Sequence, residues 1–86
     1  MRIKDGFSLK NFEGQYTVVS DNGELENTIV LTDTVLFLWN LLKEKNASKT
    51  EMLNALLSNF DISTVLALGN IDVFLRTMKE NGIIED

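Results

Sequence analysis

Cysteine, histidine and proline are all absent from this chain, and each absence removes a kind of chemistry. Without cysteine there is no disulfide, no thiolate metal ligand and no thiol nucleophile. Without histidine the usual general base and the commonest transition-metal ligand are both missing. Without proline nothing in the sequence interrupts a helix from within. Long apolar runs are lacking too. None approaches the roughly 18 residues of a membrane span, and the densest, 35–42, meets Lys43, Glu44 and Lys45 at once. The opening Met-Arg-Ile-Lys-Asp-Gly has no apolar stretch of the kind a signal peptide carries. A soluble, cytoplasmic chain with no membrane partner is the expectation.

Positive charge is scarce as well. Eight Lys and Arg stand against thirteen Asp and Glu, a net charge of −5 at pH 7. That balance argues against nucleic acid and suits a cationic or neutral peptide better. Apolar content is what the chain does have, 44% of its 86 residues against 24% charged. A domain of this size buries only about 60–65% of its unfolded surface, so its core has to be efficient, and this composition allows one without staples. No repeat, low-complexity tract or long linker divides the sequence, so residues 1–86 are expected to form a single domain.

Residues 7–31 read as β structure. Phe7 and Leu9 alternate with Ser8 and Lys10, Glu13-Gly14 signals a tight turn, and Gln15-Tyr16-Thr17-Val18-Val19 is rich in strand formers. Asn22-Gly23, after Asp21, favours the positive backbone angles of a hairpin turn. The acidic Glu24-Leu25-Glu26 follows, and Thr28-Ile29-Val30-Leu31 makes a third strand. Three short strands need a helical layer over one face to be stable.

Three amphipathic helices supply that layer. Thr32 or Asp33 caps the first, in which Val35, Leu38, Trp39 and Leu42 fall at i, i+3, i+4 and i+7. Leu36, Phe37 and Leu41 widen this stripe and predict burial on more than one side, with Trp39 in the core. Ser48-Lys49-Thr50-Glu51 is a capping box that opens the second helix. Its buried face is Met52 or Leu53, Leu56 or Leu57, and Phe60. Asp61 or Ser63 starts the third helix, with a stripe of Ala67 or Leu68, Ile71, Phe74 or Leu75, and Met78. Asn81-Gly82 ends it as a left-handed C-cap. The fold class is therefore α+β, a three-stranded antiparallel sheet followed by a three-helix bundle. No nucleophile–base pair, phosphate loop or metal cluster can be assembled from these residues, so a non-enzymatic role without cofactor or metal is expected.

Several of these segments together resemble the PqqD-like proteins, named for pyrroloquinoline quinone synthesis protein D. The segments are Gly6-Phe7, Tyr16-Thr17-Val18-Val19, Leu31-Thr32-Asp33-Thr34, Phe37-Leu38-Trp39, Ser48 to Glu51, Asn70-Ile71-Asp72-Val73-Phe74-Leu75 and Gly82-Ile83-Ile84-Glu85. Each alone is ordinary capping or core chemistry; their joint order across nearly the whole chain is more specific. Two positions depart from the family pattern. Asn70 stands where Asp is frequent, and Glu24-Leu25-Glu26-Asn27 replaces a Gly-rich stretch. The resemblance implies a winged-helix-like fold that recognises the leader segment of a ribosomally made precursor peptide. It also implies presentation of that peptide to a modifying enzyme, typically a radical S-adenosylmethionine enzyme. In the family the leader adds as an extra strand to the third strand and lies against the third helix.

On that implication the candidate peptide-binding residues are Thr28, Ile29, Val30 and Leu31 on the strand, and Leu66, Gly69, Asn70, Val73, Arg76 and Thr77 on the helix. Strand addition needs only free backbone groups on an edge and pockets for alternate guest residues. Leu66, Gly69, Asn70, Val73 and Thr77 fall at i, i+3, i+4, i+7 and i+11, down one side of the helix. Gly69 in mid-helix costs about 1 kcal/mol relative to Ala. Pattern alone favours a natively short edge strand at 28–31, and it equally permits Leu66 and Val73 as ordinary core with Gly69 merely tolerated. Glu24 and Glu26 are read as solvated loop carboxylates. Two other functions compete. One is an interaction or dimerisation module without cargo, since an open edge also pairs with its own copy in a homodimer. The other is a winged-helix DNA-binding regulator, against which stands a third helix whose Arg76 and Lys79 are balanced by Asp72 and Glu80.

Overall fold

In the computed structural model, which describes residues 1–23, 25 and 28–85, short strands flank three helices. The order is β1 (Arg2–Ile3), β2 (Phe7–Phe12), β3 (Gln15–Ser20), β4 (Val30–Leu31), α1 (Asp33–Glu44), α2 (Lys49–Asn59), α3 (Thr64–Glu80) and β5 (Ile84–Glu85). β2 and β3 pair antiparallel from Phe7↔Ser20 to Phe12↔Gln15. Their turn is Glu13-Gly14, with φ of 52° and 84°, the pair of positive angles that matches the twist of a two-residue hairpin. β4 pairs antiparallel with β3 through Tyr16↔Leu31 and Thr17↔Val30, giving the sheet order β2-β3-β4.

The sheet departs from the sequence reading in three ways. The third strand begins at Val30, two residues later than the expected 28–31, although the Val18 amide still donates to the Ile29 carbonyl at 3.0 Å. Asp21-Asn22-Gly23 closes only a local bridge between Ser20 and Gly23, so the link from β3 to β4 is a longer connection than a tight hairpin. The loop reading of Glu24, Glu26 and Asn27 lies outside the described residues. Thirdly, β1 and β5 form a separate two-stranded antiparallel sheet, Arg2↔Glu85 and Ile3↔Ile84, which the pattern did not announce.

Helix boundaries follow their caps. Ser48 and Glu51 complete the capping box of α2, the Glu51 amide donating to Ser48 Oγ at 3.1 Å and the Ser48 amide to Glu51 Oε1 at 3.3 Å. Of Asp61 and Ser63, it is Ser63 that caps α3, its Oγ accepting from the Leu66 amide at 3.2 Å. Gly82, at φ 68°, ends α3 while the Ile83 amide reaches back to the Met78 carbonyl at 2.9 Å, the backward bond of a Schellman motif. α1 begins after Thr32, whose side chain makes no cap bond.

One apolar cluster joins all these elements. Leu38, Trp39 and Leu42 of α1, Met52 and Leu56 of α2, and Ala67, Ile71, Phe74 and Met78 of α3 are buried with Val18, Ile29 and Leu31 from the sheet. Ile3, Ile83 and Ile84 close the cluster on the side of the chain ends. Trp39 is core, as its stripe predicts.

Candidate functional site

β4 is an edge strand. Its bonded pairs with β3 alternate: the Val18 amide meets the Ile29 carbonyl, and the next pair in register that faces β3 is Tyr16↔Leu31. Thr28 and Val30 therefore turn their N–H and C=O groups the other way, to an edge that no further strand covers among the described residues. Side chains alternate as well. Ile29 and Leu31 are buried, whereas Thr28 is exposed and Val30 keeps 41% of its surface. Of the four strand residues singled out in the sequence, Thr28 and Val30 face outward and Ile29 and Leu31 serve the core.

α3 contributes a second surface. Ala67, Ile71, Phe74 and Met78 are buried against the cluster, and Lys49 Nζ of α2 meets Asp72 Oδ1 at 2.6 Å on one flank. Each residue turns a helix by about 100°, so Val73 points well away from the flank that Asp72 gives to α2. On that free side Leu66 and Val73 remain 61% and 52% exposed. Large apolar side chains seven residues apart on one helix, both left bare, are unusual on the polar side of an amphipathic helix. Gly69, exposed, stands between them, while Asn70 and Thr77 are half-buried along the border with the core and Arg76 is exposed. Among the described residues no carboxylate lies within 4 Å of the Arg76 guanidinium.

The strand edge and the helix row rest on the same cluster. Ile29 and Leu31 behind β4 are buried together with Ala67, Ile71 and Phe74 behind α3. Beside Thr28 a hollow of about 480 Å³ opens along β3, lined by Thr17, Val19, Ser20, Gly23 and Leu25 among others. Sequence reasoning passed over this hollow, since a long connection builds it, and it passed over Val65, which is 80% exposed at the start of α3. An apolar residue on the polar side of the helical period was the available signal for Val65. Among the described residues no group of His, Cys, Asp and Glu is arranged to hold a metal ion. No helix among them is long and apolar enough to cross a membrane.

These features define an α+β architecture in which an antiparallel sheet, with β2 and β4 as its edge strands, precedes three helices. The family model of coenzyme PQQ synthesis protein D (PqqD) matches residues 17–84, and the chain belongs to that family. No curated protein matches it in sequence. Two solved structures share its fold. One is TbiB1 in complex with the TbiA(beta) leader peptide, with a TM-score of 0.75 at 16% identity, covering 99% of this chain and 95% of that one. The other is lasso peptide synthetase B1 complexed with the leader peptide, with a TM-score of 0.73 at 18% identity, covering 99% and 96%.

Proposed function

We propose that this chain binds the leader segment of a ribosomally made precursor peptide as an added strand on β4. In this reading the chain acts as a single, non-catalytic, cytoplasmic adaptor that presents the peptide to a modifying enzyme of the radical S-adenosylmethionine type. The observation that carries it is a PqqD-family chain whose edge strand leaves Thr28 and Val30 unpaired on one side while Leu66 and Val73 stay bare on a helix of the same core. Backbone groups of Thr28 and Val30 pair with the guest, and its alternate side chains settle on Leu66, Gly69 and Val73. Asn70, Arg76 and Thr77 supply polar contacts. Ordering a flexible leader offsets much of the gain from a few hydrogen bonds and buried side chains. Binding is accordingly moderate and exchangeable, which suits hand-over to an enzyme.

An amide-resolved NMR titration with the leader of a precursor encoded beside the gene tests the reading. Shifts concentrated at 28–31 and 66–77 are expected. Val73→Asp should weaken binding at least tenfold with the spectrum still dispersed. Val30→Pro should do the same, since proline is tolerated where an edge N–H faces outward but removes that donor. No shifts at saturating peptide, with the fold intact, reject that peptide as cargo and favour an interaction module that pairs its open edge with another protein or with its own copy.

A further inference from the structure

The dipeptide Asn-Gly occurs twice in the chain, at 22–23 and at 81–82. Asparagine is among the chemically labile residues, and a following glycine exposes it most. With no side chain in the way, the glycine nitrogen can reach the side-chain carbonyl carbon of the asparagine before it. The fold places the two copies in opposite surroundings.

At 81–82 both reacting groups are held. Asn81 Nδ2 donates to the Thr77 carbonyl at 2.8 Å, and the Gly82 amide donates to the Lys79 carbonyl at 3.1 Å. Ile83 and Ile84, which follow, are buried in the core, and the Lys4 amide fastens the Ile83 carbonyl. Attack there requires the C-cap of α3 to open, and opening draws buried residues into water.

At 22–23 the groups are loose. Asp21, Asn22 and Gly23 are all exposed. Among the described residues the Asn22 side-chain amide makes no hydrogen bond; its backbone amide alone donates, to Ser20 Oγ at 3.3 Å. Gly23 is tied by an isolated bridge to Ser20, with no ladder of further pairs behind it.

We propose that the fold leaves Asn22-Gly23, and not Asn81-Gly82, as a self-modification site where the chain converts its own amide into a carboxylate. The Gly23 nitrogen bonds to Asn22 Cγ and gives up its proton, while the Cγ–Nδ2 bond breaks and Nδ2 leaves as ammonia. Water then opens the resulting succinimide at either carbonyl. One route gives an ordinary aspartyl residue. The other gives a β-linked aspartyl, whose backbone is longer by one methylene. No oxidant, metal or enzyme is consumed. Either product adds one negative charge to the net −5, beside Asp21. Gly23 also lines the hollow of about 480 Å³ next to Thr28, so the new carboxylate and the longer backbone arise at the rim of the candidate site. This chemistry needs no bound peptide and is tested apart from the leader reading.

The full chain is incubated at mildly alkaline pH and body temperature, native and, in parallel, unfolded in guanidinium. Tandem mass spectrometry of its tryptic peptides follows the gain of one mass unit at each site against a zero-time control. An isoaspartyl methyltransferase with labelled S-adenosylmethionine counts the β-linked product. Unfolded, the two sites should convert at similar rates. In the native chain Asn22 should stay within a few-fold of its unfolded rate, while Asn81 slows at least tenfold. Asn22→Gln, whose longer side chain closes the ring far more slowly, should remove most methyl acceptance from the native chain. Native Asn22 slowed as much as Asn81 overturns the site. Native Asn81 keeping pace with Asn22 overturns the selection between them by the fold.

Discussion

Glu51 shows how a single exposed residue takes its charge state from its neighbours. Lys45 Nζ donates to its Oε2 at 2.8 Å, and the Ser48 amide donates to Oε1. The Lys45 hydrogen bond first, and the Ser48 amide second, hold the Glu51 carboxyl below the usual glutamate range. When the folded carboxyl has the lower pKa, the unfolded chain takes up its proton first as the pH falls. The contribution to stability is therefore complete above the ordinary glutamate pKa and is lost as the pH drops through the lower folded value. Water screens so exposed a pair, so the effect on stability is small. It is better read at the residue itself. In Lys45→Met, NMR of the side-chain carboxyl should find Glu51 titrating at higher pH than in wild type; an unmoved midpoint would remove Lys45 as the leading cause. The capping box was legible in Ser48 and Glu51. The Lys45 contact was not, because the turn at 45–48 has to bring the two side chains together.

At the scale of elements, the junction of β4 and α1 governs the candidate site. Asp33 takes φ 48°, a left-handed conformation costing most L-residues roughly 1–2 kcal/mol but tolerated by Asp and Asn. This bend ends β4 at Leu31 and starts α1 without a side-chain cap from Thr32. An edge of two residues is short enough to resist pairing with stray chains. Asp33→Val should lower stability by about 1–2 kcal/mol in urea denaturation, because a β-branched side chain fits this angle worst. Asp33→Asn should leave stability nearly unchanged. Equal stability of both variants would show that the junction relaxes to ordinary backbone. The sequence offered Thr32 or Asp33 as a cap. Neither caps by side chain, since the backbone angle of Asp33 makes the turn.

Across the whole molecule, the two chain ends are held together. Arg2 Nε donates to Glu85 Oε1 across the β1–β5 pair, and the Lys4 amide donates to the Ile83 carbonyl at 2.8 Å. The pairing carries Ile3, Ile83 and Ile84 into the cluster that also holds Trp39 and Phe74. A small chain has little interior to spare, so these end residues matter as much as the helical stripes. Ile3→Ala, at a buried side chain, should cost about 2–4 kcal/mol. Trp39 fluorescence during urea unfolding gives the readout, and a loss under about 1 kcal/mol would mean that β1 only rests on the surface.

Local signals explain how much was legible. Residues five or fewer apart set the caps at Ser48 and Ser63, the C-cap at Gly82 and the hairpin at Glu13-Gly14. Periodicity placed Leu38, Trp39, Leu42, Ile71, Phe74 and Met78 in the core. These were fixed by the chain's own order, as was the succession of sheet and helices. β1 and β5 were not, because two residues carry no period and their pairing joins positions 83 apart in sequence. The helix face of the candidate site was only half legible. Spacing put Leu66, Gly69 and Val73 on one side of α3, but buried or bare depended on where α2 packed. The Lys49–Asp72 contact gives α2 the other flank, and tertiary structure thereby left two apolar side chains facing water.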